Sequence, residues 1–93
     1  MNIRQRHQAL STTVAAQLSV EDIAQGMNTL VVQNINDSGF VYLGNENVST
    51  SDYGFKLFPG QALSIELRPY DRLYAVSSAS SMEAAVMVIE RAS

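Results

Sequence analysis

Apolar and polar residues alternate along most of this chain with a period of two, the pattern of strands that bury one face and wet the other. The cleanest run covers residues 62–68, where Leu63, Ile65 and Leu67 alternate with Ser64, Glu66 and Arg68. Residues 27–33 (MNTLVVQ), 40–43 (FVYL), 56–58 (KLF) and 73–77 (LYAVS) read as further strands, rich in β-branched and aromatic types. Residues 84–90 (AAVMVIE) are nearly continuously apolar, as expected of a strand covered on both faces. Earlier in the chain, Leu10, Thr12, Val14, Ala16 and Leu18 are the less polar positions of a two-residue repeat, which predicts a strand within 7–18. Residues 14–24 also contain good helix formers, and Ser19-Val20-Glu21-Asp22 has the spacing of a helix start, so one helical turn is allowed there. Residues 1–6 read as a polar arm.

Turn chemistry separates these runs. Asn36-Asp37-Ser38-Gly39 combines side chains that bond nearby backbone with a glycine free to take positive φ, and predicts a hairpin over residues 27–43. Pro59-Gly60 suits the centre of a type II turn. Pro69-Tyr70-Asp71 marks another turn, and the serine-rich residues 77–81 a flexible polar link. Six or seven short strands separated by such signals point to an antiparallel sandwich or small barrel.

Composition narrows the function classes. A chain of 93 residues fits a single domain with one thin core. It has no cysteine, hence no disulfide framework and no thiolate ligand or nucleophile. Charged residues are 16% of the chain, below the usual ~25%, so much of the surface is neutral and polar, suited to packing against partners. The net charge of −3 argues against binding nucleic acid through phosphates. No apolar segment approaches the ~20 residues of a membrane span, and the polar residues 1–10 do not read as a signal peptide. The sole histidine, His7, sits between Arg6 and Gln8, and no GxSxG elbow or phosphate-cradling GxxxxGK loop is present.

The candidate interaction residues fall in two places. Asn45, Glu46, Asn47, Asp52 and Tyr53 belong to a polar loop after Gly44; its oxygens lack the spacing of a calcium loop, and it reads as a contact loop. Arg4, Arg6 and His7 could anchor the N-terminal arm to an acidic neighbour. Tyr42, Tyr53, Tyr70 and Tyr74 fit half-buried core positions, with a sugar-binding surface as the other reading.

Five segments together resemble small structural proteins of tailed bacteriophages: Leu30-Val-Val-Gln-Asn34, Val41-Tyr-Leu-Gly44, Asn47-Val-Ser49, Phe58-Pro-Gly-Gln-Ala-Leu-Ser-Ile-Glu-Leu67 and Leu73-Tyr-Ala-Val-Ser77. The likeness spans residues 27–90, departing at Arg68-Pro-Tyr-Asp71, where a short Gly-Asp turn is commoner. It implies a non-enzymatic, cofactor-free virion protein made in the host cytoplasm and placed on the capsid surface. There it would decorate or cement the shell by binding the major capsid protein, as a homo-oligomer with a trimer favoured. A carbohydrate- or receptor-binding accessory module of a tail or fibre is the alternative. The expected fold is all-β: one small antiparallel, jelly-roll-like β-sandwich of six to eight short strands over residues 1–93. Gly39, Pro59 and Gly60 are its structural turn residues.

Overall fold

The computed structural model describes residues 2–19, 28–68 and 71–90, apart from the side chains of Asn2 and Glu90. Eight strands follow in chain order: β1 (Asn2–Ala9), β2 (Ala16–Gln17), β3 (Asn28–Asn34), β4 (Val41–Gly44), β5 (Phe55–Leu57), β6 (Ala62–Leu67), β7 (Tyr74–Ser77) and β8 (Glu83–Glu90). They form two four-stranded antiparallel sheets, ordered β1-β8-β3-β6 and β2-β7-β4-β5. First pairs with last, second with seventh, third with sixth and fourth with fifth. The chain thus doubles back on itself as one long ribbon and wraps into two layers, the strand order of a jelly roll.

The inward side chains follow the two-residue period. Leu30 and Val32 of β3, Ala84, Val86 and Val88 of β8 and Leu67 of β6 meet Val41 and Leu43 of β4, Leu57 of β5 and Ala75 of β7. Leu10, Leu18 and Met82 complete this core. Burying a side chain such as Leu30 or Leu57 contributes about 2–3 kcal/mol. No buried side-chain nitrogen or oxygen among the described residues lacks a hydrogen-bond partner.

Several local expectations change. Residues 2–6 are no free arm but most of β1, registered along β8 from Asn2 opposite Glu90 to Ala9 opposite Glu83. Their polar composition suits an edge strand, and residues 3–7 are all exposed. The strand expected within 7–18 is split: the Ser11 hydroxyl accepts the backbone N–H groups of Thr13 and Val14, turning the chain from the first sheet into the second. Leu10 and Leu18 are buried on either side of this bend, whereas Val14 is exposed.

Residues 27–43 do not form a hairpin. β3 pairs with β6 and β8 in one sheet, and β4 with β5 and β7 in the other, so the turn at 36–39 crosses between layers. β8 buries Ala84, Val86 and Val88, but Ala85, Met87 and Ile89 are only half-buried on the outer face. The serine link is a folded turn, with Ser81 at φ 62° and the Ser77 hydroxyl donating to the Ala79 carbonyl at 2.6 Å.

The Pro59-Gly60 turn forms as expected: Gly60 takes φ 83° and the Gln61 N–H donates to the Phe58 carbonyl at 2.9 Å. At the next turn, the Arg68 N–H donates to the Asp71 carboxylate and the Asp71 N–H to the Arg68 carbonyl. Pro69, Tyr70 and residues 20–26, where the sequence allows one helical turn, lie outside the described residues.

Candidate interaction surface

The loop after β4 folds down onto the outer face of the second sheet. Local bonds shape it: the Asn45 side-chain oxygen accepts the Asn47 N–H at 2.8 Å, and the Asn45 carbonyl accepts the Val48 N–H. Ser49 and Asp52 exchange backbone bonds, and the Ser49 hydroxyl accepts the N–H of Asp52. The Gly54 N–H then donates to the Leu43 carbonyl and starts the return into β5. These Asx and Ser turns expose polar side chains and hold Val48 inward. Val48 is buried with Tyr42 and Val76 in a second small cluster outside the main core. It sits so close to Gly44 that a Cβ there would meet Val48 Cγ2 at 3.0 Å.

Beside the loop lies an aromatic group built by register. Tyr42 stands opposite Lys56, and two positions along Phe40 comes next to Phe58. The Phe40 and Phe58 rings pack edge to face, 5.1 Å apart at 79°. Tyr53 leans on Tyr42 at 4.7 Å and 48°. The Lys56 ammonium lies 4.1 Å from the centre of the Phe40 ring, 5.3 Å from Phe58 and 5.9 Å from Tyr42, within cation–π range of all three. Phe58 is 50% exposed and Tyr53 43%. An ammonium fixed among rings loses little side-chain entropy when a partner covers it.

Asn45, Glu46, Asn47, Asp52 and Tyr53 are all exposed on this side of the molecule. Arg4, Arg6 and His7 are not with them: they belong to β1, at the edge of the first sheet. Arg6 faces inward there, and its guanidinium donates to the carbonyls of Gln17 at 3.1 Å and Leu18 at 3.0 Å, stapling β1 to the second sheet's first strand. His7 lies on the outer face. The expected contact residues therefore make two separate surfaces.

Sequence reading missed Phe40, Lys56 and Phe58 as members of the site. The signal was a Phe-x-Tyr and a Lys-x-Phe in facing strands, which meets only once the β4–β5 register is known. A separate apolar cleft of about 330 Å³ opens between β5 and β6, lined by Phe55, Leu63, Ile65 and Leu73, and accounts for the exposure of Phe55. Among the described residues no three His, Asp or Glu side chains group closely enough to hold a metal ion. Comparison with protein-family models, curated proteins and solved structures finds no match.

Proposed function

We propose that this chain is a non-enzymatic structural protein of a bacteriophage virion that decorates the capsid shell by binding the major capsid protein. The observation that carries the reading is the aromatic–lysine surface formed by Phe40, Tyr42, Tyr53, Lys56 and Phe58 on and beside β4 and β5. Half-exposed rings fixed on a sheet supply large contact area at low ordering cost, the chemistry of protein-interface anchors. The segments resembling phage structural proteins also support it: they fall on β3, β4, the loop after β4, the β5–β6 turn, β6 and β7. Repetition on a shell multiplies a modest contact through effective concentration.

A glycan-binding module of a tail or fibre is the second reading, supported by exposed Tyr53 beside the polar loop. The ring angles of 79° and 48° weigh against it, because they build no coplanar platform for a sugar. The test is co-sedimentation of the purified protein with capsids that lack it. The protein is expected to pellet with them, and Phe58→Ala to weaken binding by about 10–100-fold. Failure to pellet overturns the capsid reading. A glycan-array signal abolished by Tyr53→Ala would transfer support to the second.

A further inference from the structure

The outer face of the first sheet is apolar on a strand that sequence patterning marks for cover on both sides. Ala85, Met87 and Ile89 of β8 point away from the core and are half-buried, with β1 and β3 on either side. The registers set twelve positions of this face in three rows of four, one from each strand. Only His7 and Glu66 among them carry an ionisable side chain, and they occupy opposite corners. His7 is on outermost β1 in the row of Ala85; Glu66 is on outermost β6 in the row of Ile89. Ile3, 54% exposed, holds a third corner, and Met87 and Val31 pair across the middle row. Beside them is a depression of about 380 Å³.

We propose that this face is the seat of a second copy of the chain, the two sheets stacking with their strands near perpendicular. Strands lie ~4.8 Å apart and repeat every ~6.8 Å along one face, so the three rows and four strands form a nearly square grid. A two-fold rotation about the diagonal through Ile3 exchanges rows with strands. It lays Ile3 on its counterpart, centres Met87 and Val31, and brings each His7 over Glu66 of the other copy. Both corners then gain an imidazole facing a carboxylate, while every other position on the face meets an uncharged one. Near-perpendicular crossing is one of the two ordinary ways sheets pack.

The grid covers roughly 400 Å² per copy, about half of what a standard stable interface buries on each side. The pair is therefore weak and concentration-dependent, dissociating at roughly 10 µM–1 mM. It stands independently of the capsid reading.

Sedimentation equilibrium of the full chain across that range is expected to give a reversible monomer–dimer equilibrium. Met87→Asp should weaken it at least about 10-fold. His7→Glu, at an exposed corner where folding is not at stake, should weaken it too, with His7→Glu/Glu66→His restoring it. Circular dichroism checks that each variant is folded. A monomer at every concentration, a three-chain mass, or an unchanged dimer in folded variants overturns the pairing. So does a wild type that stays monomeric while Met87→Asp abolishes capsid co-sedimentation, which would assign the face to the shell. Loss of capsid binding with the dimer intact would instead count only against the proposed function.

Discussion

Asn34 closes one end of the sandwich from inside. It is fully buried, and its amide nitrogen donates to the carbonyls of Gly39 and Leu57, both at 3.1 Å. Its oxygen accepts the Asn36 backbone N–H at 3.1 Å and the Asn36 side chain at 2.8 Å. Asn36 in turn bonds the Glu83 backbone in both directions. Asn34→Ala deletes these links and strands buried carbonyls, which should cost about 2–4 kcal/mol. Denaturant unfolding should show a lower midpoint at constant m-value. Gly60 poses a different question, since no atom lies within 4 Å of a Cβ placed there. The cost of Gly60→Val is then backbone strain alone, at φ 83°, about 1–2 kcal/mol. A lower melting temperature is expected, and an unchanged one would remove the type II turn from the account. The Pro59-Gly60 turn was legible because its chemistry is local. Asn34 was not, because its partner Leu57, and Glu83 reached through Asn36, are brought in by the fold.

At the scale of elements, β1 is an edge strand with one neighbour. Residues 3–7 are exposed, and its ties include the ladder to β8 and the Arg6 staple. Hydrogen exchange should therefore find β1 amides opening at lower free energy than those of β3, which has a strand on either side. Equal protection would show that the edge is held by more than these contacts. Its polar sequence reads as an arm because alternation signals strands only when one face is apolar. Conversely, residues 27–43 read as a hairpin because turn chemistry reports that the chain bends, and is silent on which layer it enters. Val48 illustrates the same limit: its burial comes from a loop folded onto Tyr42 and Val76, which no two-residue period announces.

For the whole molecule, patterning identified the all-β class and most inward residues, from Leu30 and Val32 to Leu67. The wrapping order escaped it, because periodicity tells which side a residue faces and not which strand lies alongside. The candidate site divided the same way. The exposed loop from Asn45 to Tyr53 was visible, whereas the rings around Lys56 needed the β4–β5 register. The nested ribbon also sets how the protein responds to force. Asn2 stands opposite Glu90, so a load applied across these two positions acts at one end of the β1–β8 ladder. In an antiparallel pair the bonds run perpendicular to the strands, so that load pulls along them and opens them one after another rather than shearing all at once. Tension across these two positions therefore opens the β1–β8 ladder first, from the end where Asn2 meets Glu90, before it reaches the second sheet.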